Sequence, residues 1–184
     1  MTNFKKIFAA LALVAASSTV ATAQTDFGSP IGAGGGLGGT IAPFVPGLAG
    51  SGTAPGLTGN GANGLNNARN AFGNAGGPNL RITNPAGGNI NVPTNVVQAL
   101  AAVLAGTPTS TQSSIVTNAL TGVPSAAASA LVTALTSLGG TPNFPNLVRA
   151  VQAYNAAIDA LPAGTEPPPA LAAIRLALFQ ASRS

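Results

Sequence analysis

The 184-residue chain has no cysteine, no histidine and no tryptophan, and only 5% of its residues are charged. Each absence removes a chemistry. Without cysteine there is no disulfide, no thiolate nucleophile and no sulfur ligand for zinc. Without histidine there is no Ser-His-Asp or Cys-His relay. Both lysines, Lys5 and Lys6, stand at the N-terminus, so the rest of the chain has no amine for a Schiff base or a Ser-Lys dyad.

Three carboxylates remain: Asp26, Asp159 and Glu166. The last two flank the pair Leu161-Pro162, where a helix is expected to end. A glycosidase or a cation site built on two carboxylates needs an extensive polar cleft, and the neighbouring sequence supplies no other groups for one. Asp159 reads as a solvated helix position. Glu166 reads as a charge near the start of the next helix, where a negative group suits the dipole. No catalytic residue, metal ligand or cofactor is assigned, and the chain is expected to be no enzyme.

The sequence pI of about 10.9 suggests a polyanion binder. The arginines argue otherwise. Arg69, Arg81, Arg149, Arg175 and Arg183 are scattered along the chain, whereas a phosphate backbone is met by a clustered basic patch. No nucleic-acid partner is expected.

What is present begins with a targeting signal. Lys5 and Lys6 precede an apolar stretch from Ile7 to Ala16, and Ala21-Thr22-Ala23 follows as a small-x-small cleavage site. Residues 1–23 read as a secretory signal peptide. The apolar stretch is about half the length that spans a bilayer, and no later segment is long and apolar enough to cross one. The mature chain is expected to be secreted: periplasmic, cell-surface or extracellular. After cleavage its five arginines face three acids.

Nineteen of the 24 glycines lie between Gly28 and Gly88, and they divide the chain into two physical regimes. Glycine costs the most entropy to order, and the apolar residues among these glycines are few. Residues 24–78 therefore read as a Gly/Asn/Pro-rich, largely disordered arm. Its plain form is a linker; its sharper form is a self-associating segment, because Asn/Gly tracts can pair as β-structure. The run GGGLGG, Gly34 to Gly39, fits the G-x-G-x-x-G pattern. It has no strand before it, prolines at 43 and 46 where a helix would start, and no acidic residue about 20 positions on. It is read as low-complexity glycine.

Residues 79–92 carry a hairpin signal. Leu80 and Ile82, then Ile90 and Val92, alternate with polar residues around Asn84-Pro85-Ala86-Gly87-Gly88, which is turn chemistry. Two strands are marginal alone, so the hairpin needs a surface to lie on.

Residues 93–184 read as an Ala-rich helical domain, a small all-α bundle of about five short helices. Gly106-Thr107-Pro108, Gly122-Val123-Pro124 and Gly140-Thr141-Pro142 each join a C′ glycine to a proline that starts the next helix. The expected helices cover residues 95–105 with Thr94 as N-cap, 109–121, 125–138, 145–161 and 169–181. The fourth has the clearest stripe, with Leu147, Val151, Tyr154, Ile158 and Leu161 on one face. The fifth is apolar nearly all round, which places it at the centre of the bundle or under a partner. With so many alanines the buried area is small, and a marginal monomer or a homo-oligomer is expected.

Four residues are candidates for interaction. Tyr154, the sole tyrosine, falls on an apolar stripe and is expected in the core with its hydroxyl at the rim. Arg175 interrupts the apolar fifth helix and is expected to pair with Asp159 or Glu166, or to lie along a partner surface. Leu176 and Phe179 complete the set. The functional expectation is a secreted, non-enzymatic structural or interaction protein of the cell envelope or extracellular matrix, with itself or another envelope protein as partner. The alternative is a periplasmic helical module that binds an apolar ligand or a partner helix.

Overall fold

Helix α1 (Asn60–Gly73) lies in the stretch expected to be a flexible arm. The computed structural model describes residues 60–83 and 89–182. The expected signal peptide, the arm over 24–59, the GGGLGG run, Asp26, Arg183 and the hairpin's turn lie outside them. Within the described part the arm reading is corrected at its C-terminal end. Leu65, Ala68 and Phe72 recur at i, i+3 and i+7, and none is more than 1% exposed. Three residues on one face are enough to dock a helix, although Gly and Asn fill most of its other positions.

Strand β1 (Asn79–Thr83) pairs antiparallel with β2 (Asn89–Pro93), with Leu80 opposite Val92 and Ile82 opposite Ile90. The expected hairpin thus forms in the expected place. Ile82 and Val92 are buried, while Asn79, Arg81, Thr83, Asn89 and Asn91 face solvent. The inner face lies on helices, which supply the surface a two-stranded sheet needs.

Five helices follow: α2 (Thr94–Leu104), α3 (Ser110–Ala119), α4 (Ser125–Gly140), α5 (Phe144–Asp159) and α6 (Pro169–Ala181). All five were expected, so the described unit has six helices and a hairpin, with α1 the addition. Details of their ends differ from expectation. Thr94 is not the N-cap of α2; Pro93 precedes the helix, and the Thr94 hydroxyl donates instead to the Gly77 carbonyl at 2.7 Å. Helix α3 opens with a capping box: Gln112 N–H donates to the Thr109 hydroxyl at 3.2 Å, and the Thr109 N–H donates to Gln112 Oε1 at 2.8 Å.

Two of the three Gly-x-Pro stops work as expected, with Gly106 and Gly122 in the left-handed region at φ +78° and +83°. The third does not. Gly139 and Gly140 stay inside α4. A Cβ on Gly139 would strike the Leu104 carbonyl, and one on Gly106 would strike the Gly140 backbone. These glycines let the ends of α2 and α4 touch backbone to backbone.

The turn into α5 is held by two asparagines. Asn143 caps the helix by accepting from Asn146 N–H at 2.9 Å. The buried Asn146 side chain donates to the Ser137 carbonyl at 3.2 Å and the Thr141 carbonyl at 2.8 Å, which ties the end of α4 to the start of α5.

Helix α6 closes the fold. It packs against α1, α5, β2, α2 and α3, and Leu171, Ile174 and Leu178 are no more than 1% exposed. The first and last described helices therefore meet. At their crossing any side chain on Gly64 would run into the Gln180 carbonyl.

Candidate functional site

The four interaction candidates come from α5 and α6, and the fold sorts them into two kinds. Tyr154 projects from the apolar face of α5 and is 0% exposed; Arg175 projects from α6 and is 9% exposed. The tyrosine was expected with its hydroxyl at the rim, and the structure encloses it entirely. Burial pushes its phenol well above the ordinary tyrosine value, and the positive charge of Arg175 opposes that rise. Burial likewise lowers the Arg175 guanidinium, and Tyr154 opposes the fall. The two groups are electrostatic neighbours inside the α5–α6 interface.

Arg175 was expected to pair with Asp159 or Glu166. Both carboxylates are exposed, Asp159 at the end of α5 and Glu166 in the loop before α6. The buried group whose charge state Arg175 influences is the Tyr154 phenol. The reason is geometric: Tyr154 sits on the inner face of α5, and Asp159 on its solvent face. Among the described residues no buried side-chain nitrogen or oxygen lacks a hydrogen-bond partner, so this polar island is satisfied within the fold.

Leu176 and Phe179 are half-buried on α6. Leu176 packs against the main core, and the Phe179 carbonyl accepts from the Ser182 hydroxyl at 2.6 Å. Tyr154 and Arg175 are thus brought together in the interior, while Leu176 and Phe179 stay partly accessible.

The outer surface is the feature that the sequence reading did not assemble into a site. Among the described residues the exposed charges are Arg81, Arg149, Asp159 and Glu166, with Arg69 half-buried. The remaining exposed polar side chains are neutral amides and hydroxyls. Asn63, Asn66, Asn67 and Asn70 cover the solvent side of α1, and Asn79, Thr83, Asn89 and Asn91 cover the outer face of the hairpin. On α4, the Thr133 and Ser137 hydroxyls donate to carbonyls one turn back, at 2.9 and 3.0 Å. Their protons are spent inside the helix, so the surface shows acceptor oxygens and a methyl group. A composition signal for this was present in the 5% charge; its distribution over faces needed the fold.

Among the described residues no three His, Cys, Asp or Glu side chains gather where they could hold a metal ion. No described helix is long and apolar enough to cross a membrane. The sequence matches no protein-family model, and it matches no curated protein and no solved structure.

Proposed function

We propose that this chain is a secreted, non-enzymatic structural or interaction protein of the cell envelope or extracellular matrix, in which the helical unit carries the glycine-rich N-terminal arm. The observation that carries this reading is the nearly charge-free surface. Proteins ordinarily keep apart through charged residues that cover about a quarter to a third of the surface, and low net charge promotes association. A surface of amides and internally bonded hydroxyls lacks that repulsion. The three carboxylates and the missing His, Cys and downstream Lys add support, since they leave few means for acid–base or nucleophilic catalysis.

The alternative, a module that opens to hold an apolar ligand or partner helix, needs an uncovered face on α6. That helix is covered by five elements of its own chain, which favours the first reading.

Light scattering on the full mature protein tests the proposal. The expected result is association that grows with concentration and is nearly indifferent to salt, because few charges are present to be screened. A monomer at every concentration and salt level would overturn the self-associating form of the reading.

A further inference from the structure

We propose that α1 is an exchangeable helix, and that the groove it fills between α2 and α6 accepts the α1 of a second copy of this chain. This rests on the self-associating reading above and names the surface that would carry it.

Helix α1 is made by its groove more than by its own sequence. Gly61 and Gly64 lie within it, together with Asn63, Asn66, Asn67 and Asn70, and both residue types are poor helix formers. A segment of this length and composition does not hold a helix alone in water. It becomes one where Leu65, Ala68 and Phe72 find α2 and α6.

The groove in turn is shaped for this segment. Helix α6 comes so close at Gln180 that only glycine fits opposite, and α1 places Gly64 there. At its last residue, Gly73, the helix faces Ala101 of α2. Every copy of the chain carries both the groove and the helix that matches it. A second copy is therefore the occupant with the right shape, and an exchange between copies remakes all the original contacts.

The connection permits the exchange. Residues 74–78 leave α1 through Gly76 and Gly77, which are exposed and have open space around their Cβ positions. Beyond them the chain is pinned to α2. The Thr94 hydroxyl donates to the Gly77 carbonyl at 2.7 Å, and the Thr94 N–H donates to the Pro78 carbonyl at 3.0 Å. The hinge therefore falls between the end of α1 and Gly77, where Ala75 rests on the core and its carbonyl accepts one exposed bond from Gln98 Nε2 at 3.3 Å, a bond that the exchange must break and remake. The three residues between Gly73 and Gly77 reach about 10 Å when extended, so the exchange takes place between closely apposed copies.

The absence of native cysteine makes a clean test. A Cβ on Gly73 would lie 3.8 Å from Ala101 Cβ, which is disulfide spacing. The full-length double variant G73C/A101C is expected to close a disulfide within one chain, which shows that α1 docks as described. Full-length G73C and A101C single variants are then mixed at high concentration under mild oxidation. The expected result is a chain pair joining Cys at 73 to Cys at 101, in large excess over random pairing. Chain pairs in random proportions, or none, overturn the exchange. A double variant that does not close overturns the docked geometry on which the exchange depends. Light scattering on the unmodified protein separates the two proposals. Association without the mixed pair sinks the exchange and leaves the association reading standing; a monomer throughout, again without the mixed pair, sinks both.

Discussion

Helices α1 and α6 lie against each other and are built from opposite materials. Helix α6 is alanine and leucine with an isoleucine at its heart, and it is buried on nearly every side. Helix α1 is asparagine and glycine, and three apolar side chains hold it in place. The contrast teaches that a helix can be earned in two ways. In α6, good helix formers bury area all round, so the element is stable wherever it packs. In α1, local preference opposes the helix, and only the fit of Gly64 against Gln180 and the burial of Leu65, Ala68 and Phe72 offset it. Both helices reach the same core, α6 through most of its faces and α1 through one.

The sharpest way to break this comparison is a pair of truncations. Ile174→Ala in α6 is expected to cost about 2–5 kcal/mol of global stability in a urea titration, since no neighbour can follow a missing side chain at the centre. Phe72→Ala in α1 removes a larger side chain. It is nevertheless expected to cost less than Ile174→Ala, and less than the roughly 3–5 kcal/mol usual for a core phenylalanine. The chain escapes the cavity by releasing α1, which makes the loss local. Hydrogen exchange reads the difference directly: α1 amides lose protection in Phe72→Ala while α6 amides keep theirs. Equal global losses would mean that α1 is no separate unit.

A subtler change strikes the crossing itself. Gly64→Ala improves helix propensity by about 1 kcal/mol, so α1 alone would gain. In the fold the new methyl meets the Gln180 carbonyl. The expected outcome is a net loss of stability, with α1 protection falling first. A gain would show that α1 moves aside without penalty.

The remaining predictions concern polar groups away from α1. Asn146→Ala removes the donor to the Thr141 carbonyl and one of two donors to the Ser137 carbonyl, which still accepts from the Thr141 N–H. It is expected to cost about 1–3 kcal/mol, seen as a lower melting temperature with unchanged helical content. The pH dependence comes from Tyr154, whose phenol is held neutral by burial. Below about pH 10 the phenol is protonated in both folded and unfolded chains, and its contribution is fully present. Above that the unfolded chain releases the proton while the folded chain keeps it, so stability falls as pH rises, by up to about 1.4 kcal/mol per pH unit. Tyr154→Phe is expected to flatten that slope in denaturant titrations across the alkaline range.

The places where expectation and structure part have a common cause. The hairpin, the left-handed stops at Gly106 and Gly122 and the limits of α6 rest on neighbours in sequence, and each was legible. Helix α1 was missed because a glycine-rich composition hides three residues at helical spacing. Gly139-Gly140 was misread as a stop because a glycine needed for close approach looks the same in sequence as one needed for a turn. Arg175 was expected to pair with carboxylates near in sequence, and the fold leaves both of those exposed while it buries the guanidinium as an electrostatic neighbour of Tyr154. The site residues followed the same line: Tyr154 was legible as a core residue from its stripe, while its full enclosure was not.

By itself the sequence determined the hairpin, the number and approximate places of the five helices after it and the stops at Gly106 and Gly122, because turns and periodicity act within a few residues. It also determined the poverty of charge, which no folding can alter. The tertiary structure alone decided that an asparagine-rich segment becomes a helix, that α2 and α4 meet through bare backbone, and that Arg175 and Tyr154 are buried as electrostatic neighbours. Those outcomes depend on surfaces contributed by segments far apart in the chain, and a surface exists only after its parts have come together.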